Sequence, residues 1–253
     1  MSTYKALIGK YVKSVSSDPS ASYGDGEIWY NTSSNTFKTA IQVGAWASGG
    51  NVNTARRYTN GGGTQTAGLM VNGYSTGFSA DTEEYNGSSW TSVTSAPFSV
   101  YNSSGGGTQT SFFMTGGDLG PSVNTTTAEY DGSNWTTTNA NPNAKNGGGA
   151  CGTQTAGLYA GGQNSTGTQT YNGSSWTSTG HNLNDARREV SQAMTGITTA
   201  ALVVGDQPSS AVVEEYNGSS WTAQTVVPTS GYARSSSGIQ TAALYYGGGS
   251  SGF

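Results

Sequence analysis

The chain is poor in the side chains that carry out chemistry. Its 253 residues include one cysteine, Cys151, and one histidine, His181. A lone cysteine excludes an internal disulfide, and one residue of each kind cannot supply the usual nitrogen and sulfur ligands of a zinc or copper centre. A Ser-His-Asp triad would need His181, which lies in the Gly180–Asp185 loop without a nucleophile-elbow pattern. Charged residues make up 9% of the chain, against roughly a quarter in ordinary globular proteins. The net charge of −4 gives no general attraction for nucleic acid. No apolar run is long enough to cross a bilayer as a helix, the first residues lack a signal-peptide core, and no helical period runs for a useful length. The expectations are therefore no cofactor, no metal, no nucleic-acid partner, no membrane insertion and no enzymatic activity.

What the chain has instead is repetition. TEEYNGSSWT (Thr82–Thr91) returns as TAEYDGSNWT (Thr127–Thr136), TQTYNGSSWT (Thr168–Thr177) and VEEYNGSSWT (Val213–Thr222). A weaker version, AIQVGAW, ends at Trp46. Trp46, Trp90, Trp135, Trp176 and Trp221 follow one another at intervals of 44, 45, 41 and 45 residues, a period typical of repeat architectures. Each copy reads as a β-hairpin turning at Asn-Gly or Asp-Gly, with those two residues as a type I′ loop. That register sets Tyr85 opposite Ser88 and Glu83 opposite Trp90. Tyr85, Tyr130, Tyr171 and Tyr216 then share a face with their Trp and anchor one sheet on the next.

A second unit alternates with the first: GGGTQTAGLMVNG from Gly61, GGGTQTSFFMTGG from Gly105, CGTQTAGLYAGG from Cys151, TGITTAALVVG from Thr195 and SGIQTAALYYGG from Ser237. It reads as a Gly-rich strand followed by an apolar strand. Each period thus holds four strands. Four antiparallel strands in about 44 residues make a propeller blade. The fold class expected is all-β: a five-bladed β-propeller of four-stranded blades. The C/D-type strands near Thr36–Ser48 and the A/B-type strands at Ser237–Gly248 are half a blade out of step, so pairing of the two termini should close the ring. Glu27–Asn31 competes for the same edge. The column Gln65, Gln109, Gln154, Thr198 and Gln240 should face the central channel and tie the inner strands together. The expected domains are an arm over 1–26 and the propeller over 27–253. The arm, with Tyr4, Lys5, Lys10, Tyr11 and Lys13, is either an attachment segment or a terminal strand of the same domain.

The remaining motifs offer little chemistry. Glu83/Glu84 and Glu214/Glu215 are strand neighbours and point to opposite faces, so neither is an acid–base dyad. GGGTQT lacks the lysine of a phosphate loop. Charge is more informative by position. After residue 40 the basic residues are Arg56, Arg57, Lys145, Arg187, Arg188 and Arg234, all between a fourth strand and the next first strand. They form either a basic-rimmed face for an anionic glycan or partner protein, or local pairs with Asp81, Asp118, Asp206, Glu84, Glu129 and Glu215.

The Gly-Gly pair after an apolar strand, the Tyr five residues before Trp, and the basic residues about ten after it resemble kelch repeats over residues 37–253. Asn72-Gly73, Gly205-Asp206 and Ile41 depart from that pattern. The opening MSTYKALIGKYVKSVSSDP, GEIWYNTSSNTFK, NTARRY and the TEEYNGSSW copies are similar to kelch-like virion proteins of marine tailed phages. That resemblance implies a structural, tail- or head-fibre type protein on the particle surface. It would be present in multiple copies, bound to other virion proteins through the arm and facing the host. The alternative is a lectin-type propeller binding a host-surface glycan at repeated inter-blade sites.

Overall fold

The computed structural model describes residues 13–17, 28–39, 47–163, 165–188, 190, 193–205, 211–228 and 234–247. The described residues contain strands, turns and loops but no helix. The chain divides into two compact units, Met1–Ser48 and Gly49–Phe253. The boundary expected at 26/27 falls inside the first unit.

In the first unit, β1 (Lys13–Val15) pairs in parallel with β2 (Ile28–Asn31), and β2 pairs antiparallel with β3 (Thr36–Thr39). The β2–β3 turn is locally encoded. Asn31 Oδ1 accepts the Ser33 and Ser34 amides, both at 3.0 Å, and Asn35 takes the left-handed conformation that asparagine tolerates (φ 51°). Tyr30 packs on Phe37 with ring centroids 5.1 Å apart.

The second unit repeats one design. Its first sheet is β4 (Asn60–Thr64), β5 (Ala67–Val71), β6 (Thr82–Tyr85) and β7 (Trp90–Val93). The second is β8 (Ser104–Thr108), β9 (Ser111–Thr115), β10 (Thr127–Tyr130) and β11 (Trp135–Thr138). The third is β12 (Gly149–Thr153), β13 (Ala156–Ala160), β14 (Thr168–Tyr171) and β15 (Trp176–Ser178). The fourth is β16 (Met194–Ile197), β17 (Ala200–Val204), β18 (Val213–Tyr216) and β19 (Trp221–Gln224). All four are antiparallel and paired in chain order. A fifth sheet has only β20 (Ser235–Ile239) and β21 (Ala242–Tyr246).

The first strands of successive sheets lie side by side, from β4 through β8, β12 and β16 to β20. Glycine allows this approach. A Cβ on Gly62 would stand 2.8 Å from the Gly107 carbonyl oxygen, and one on Gly106 would stand 2.9 Å from that of Gly152. Apolar second strands fill the space between sheets. Leu69, Val71, Phe112, Met114, Ala128 and Tyr130 form one buried cluster, and Leu158, Ala160, Val203, Tyr216 and Trp221 belong to another.

Two expectations are corrected. The hairpin loop has four residues, not two: Tyr85 lies opposite Trp90 and Glu83 opposite Ser92. Asn86 Oδ1 accepts the amides of Ser88 at 3.0 Å and Ser89 at 2.9 Å. Only Gly87 has positive φ (94°), whereas a type I′ turn needs it at both central residues. The serines therefore belong to the turn, and the same bonds recur at Asp131, Asn172 and Asn217. The Tyr–Trp pair survives the change of register, with centroids 4.8–5.0 Å apart in all four copies. Second, the terminal strands do not close the fold among the described residues. β3 pairs with β2, and β21 only with β20. The β2–β3 hairpin closes a loop of a few residues, which costs far less chain entropy than joining ends some 200 residues apart. Trp46 lies outside the described residues.

Candidate functional site

Three kinds of polar side chain that repeat in the second unit act between sheets. The indoles of Trp135, Trp176 and Trp221 each donate to a threonine hydroxyl on the third strand of the preceding sheet: Trp135 to Thr82 at 3.3 Å, Trp176 to Thr127 at 2.8 Å and Trp221 to Thr168 at 3.0 Å. Tyr130 donates to Glu84 at 2.8 Å and Tyr171 to Glu129 at 2.9 Å. Thr170 stands where the next carboxylate would be. Tyr216 donates instead to the Gly218 carbonyl at 3.0 Å, with His181 Nδ1 3.2 Å from its hydroxyl. His181 is an exposed loop residue.

The glutamine column does not face a channel. Gln109 Nε2 donates to the Gly68 and Tyr85 carbonyls, Gln154 to those of Phe112 and Tyr130, and Gln240 to those of Ala201 and Tyr216, at 2.9–3.4 Å. Each therefore caps the second and third strands of the sheet before it. Gln65 is exposed and bonds no described residue.

The basic residues separate into different environments. The Arg56 side chain is fully buried: Nη2 donates to Glu83 Oε1 at 2.7 Å, and Nη1 to the Asp81 carbonyl at 2.7 Å. Arg187 repeats the arrangement. Its Nη2 and Nε donate to Glu214 Oε1 at 2.8 and 3.1 Å, and its Nη1 donates to the Gly205 carbonyl at 2.6 Å. Each glutamate also accepts loop amides, from Asn53 and Thr54 in one case and Asn184 and Asp185 in the other. A basic rim made by Arg56 and Arg187 is thus excluded. Local pairing does occur, but with Glu83 and Glu214, the carboxylates turned inward. Asp81 is only a distant second partner of Arg56 at 3.9 Å. Lys145 is half-buried, and its backbone amide and carbonyl both bond the Tyr159 hydroxyl. Arg234 lies 5.1 Å from the centroid of the Tyr245 ring. Arg188 is exposed. Of the arm residues, Lys13 opens β1, and Tyr4, Lys5, Lys10 and Tyr11 lie outside the described residues.

Arg57 stands in a setting the repeat pattern does not reveal. It is exposed, and its guanidinium carbon lies 5.2 Å from the Tyr74 ring centroid and 5.5 Å from that of Tyr58. Tyr58 holds φ 54°. Tyr101 sits 5.7 Å from Tyr58, 6.0 Å from Tyr74 and 5.4 Å from Phe78, nearly parallel to the last at 25°. Phe78 is 40% exposed. The loops meet through bridges Arg57–Tyr74 and Tyr74–Phe78. The next sheet has a matching bridge, Tyr101–Asp118. There the phenol donates to the carboxylate at 3.0 Å, and Asp118 also accepts from Asn146 and the Gly120 amide. Aromatic residues at non-repeating loop positions were the only sequence signal for this patch.

A cavity of about 360 Å³ is lined by Gly61 and Gly62 of β4, Trp90, Met194, and Ser235 and Tyr246 of the last sheet, among others. Asn60 lines it too; its Nδ2 is buried without a partner. Among the described residues, no group of three or more His, Cys, Asp or Glu side chains could hold a metal ion. Cys151 is buried, and burial pushes its thiol up to about 12. No protein-family model matches the chain, and no curated protein matches it.

Proposed function

We propose that this chain is a non-enzymatic structural protein of a phage virion. It is fixed to the particle through residues 1–26 and displays a five-bladed propeller at the surface in multiple copies. The observation that supports a display scaffold is where the recurring polar groups go. The Trp–Thr, Tyr–Glu and Gln–carbonyl bonds join one sheet to the next, and the variable loops are left for contact. The virion setting rests on the resemblance of the opening segment and of the repeats. Particles assembled with the chain lacking residues 1–26 test it: loss of incorporation with a folded second unit is expected, and full incorporation would overturn the arm's role.

The ring reading takes β20–β21 as part of a fifth blade adjoining the first. It is supported by strands from both sheets lining one cavity. By analogy with Gln109, Gln154 and Gln240, Gln65 would then cap the Ala243 carbonyl. Gln65→Ala should in that case destabilise as much as Gln154→Ala. A neutral Gln65→Ala, or particle images of the isolated protein without five-fold symmetry, would reject the ring.

A further inference from the structure

We infer that Arg57 with Tyr58, Tyr74, Phe78 and Tyr101 forms a single binding site for a carboxylated sugar. The guanidinium is held over two phenol rings, so its orientation is fixed before any ligand arrives. A guanidinium carries five N–H donors, and among the described residues no carboxylate pairs with Arg57. Its sister position shows the contrast: Tyr101 spends its hydroxyl on Asp118, which also accepts from Asn146 and the Gly120 amide. The patch therefore offers one unneutralised, preorganised cation beside exposed aromatic surface.

That combination selects the ligand. A carboxylate matches the planar donor fork of arginine. The electron-rich faces of Tyr and Phe attract the C–H face of a pyranose, and such rings with a few fixed polar groups are the usual lining of small-ligand sites. A phosphate or a polyanionic peptide would call for several cations, and the patch has one in a protein of net charge −4. Among the described residues the site occurs once: the residues that follow Gly73, Gly117 and Gly162 are Tyr74, Asp118 and Gln163, so those sister loops do not reproduce it. The inference does not depend on the virion reading and would hold for the isolated protein.

The test is calorimetric and NMR titration of the full chain with 3′-sialyllactose, a glucuronate-terminated disaccharide, lactose, inorganic phosphate and hexaglutamate. One of the two acidic sugars should bind at least about tenfold more tightly than lactose, phosphate or hexaglutamate, and which one binds identifies the sugar. Arg57→Gln and Phe78→Ala should each weaken that binding about tenfold or more while the protein still unfolds cooperatively, since both side chains lie in surface loops outside the buried clusters. No binding of either acidic sugar, equal binding of lactose, equal binding of phosphate or hexaglutamate, or affinity unaffected by Phe78→Ala would each overturn the assignment.

Discussion

Glu214→Ala, Arg187→Val and the double variant form a thermodynamic cycle on a buried ion pair, and the molecule carries its own control. Glu214 is fully buried and Arg187 is 1% exposed. Removing the carboxylate strips two guanidinium bonds, at 2.8 and 3.1 Å, from Arg187. It also leaves the Asn184 side chain without the acceptor it holds at 2.7 Å. Breaking one side of such a pair costs about 3–5 kcal/mol, because the remaining charge stays desolvated. In the second sheet the same two places hold Val100 and Ala128, both 0% exposed, so the fold accommodates an apolar pair there. The double variant removes both charges together. The freed Asn184 and Asp185 amides belong to exposed residues and can turn to water. What remains is lost packing volume and the lost tie to Gly205, about 1–3 kcal/mol. In a domain of this size a 4 kcal/mol loss lowers Tm by about 8–16 °C. Denaturant unfolding of the wild type and three variants should give a double variant more stable than Glu214→Ala alone, with a coupling energy of about 2 kcal/mol or more. A double variant whose cost equals the sum of the two singles would refute the argument that the pair acts as a unit.

Other outcomes are equally open to measurement. Gln154→Ala leaves two backbone carbonyls of the preceding sheet without their donor and should cost about 1–3 kcal/mol, read as a shift in the denaturant midpoint at unchanged slope. Trp176→Phe keeps the ring packing but deletes the 2.8 Å bond to Thr127; a loss of about 0.5–1.5 kcal/mol is expected, and a neutral result would remove the indole bond from the account of sheet stacking. Cys151, with its thiol buried and pushed up to about 12, should resist a disulfide reagent at pH 8 in the native state and react fully in denaturant; rapid native reaction would contradict its placement. Burial raises the Tyr171 hydroxyl to about 12 and also raises those of Tyr130 and Tyr159. Between about pH 10 and 12 the folded phenols keep protons that unfolded ones release. Stability should therefore be flat in this respect below pH 10. Above it, stability should fall by up to about 1.4 kcal/mol per pH unit for each such tyrosine. Urea unfolding from pH 8 to 11 measures this, and no decline above pH 10 would exclude it.

The sheets were legible because their signals are local and recur. A period near 44, an apolar second strand and a Tyr–Trp pair each act within one repeat, and the four four-stranded sheets follow from them. The turn register was misread because Asn-Gly was given precedence over the two serines after it, although the serine amides are what Asn86 binds. Closure was beyond local reading for a related reason: Thr36–Thr39 has a partner a few residues away in β2, and pattern alone does not rank a near partner against a distant one.

The arginine pairs were legible in a form that position alone hides. Asn-X-Ala-Arg-Arg occurs twice, at Asn53–Arg57 and Asn184–Arg188, and only these two loops precede a repeat that reads Glu-Glu-Tyr. Where the third-strand residue is Ala128 the loop offers Val100, and where it is Gln169 the loop offers Lys145. An arginine in the loop thus goes with a glutamate two residues before the repeat tyrosine, inside a single chain and without any relative to compare. That pairing identifies the first arginine of each pair, Arg56 and Arg187, as a buried partner of Glu83 and Glu214. It also explains why treating all six basic residues as one rim failed: adjacent arginines on a bridged loop segment point to opposite sides. Arg56 therefore turns into the sheet while Arg57 turns out onto the rings of Tyr58 and Tyr74.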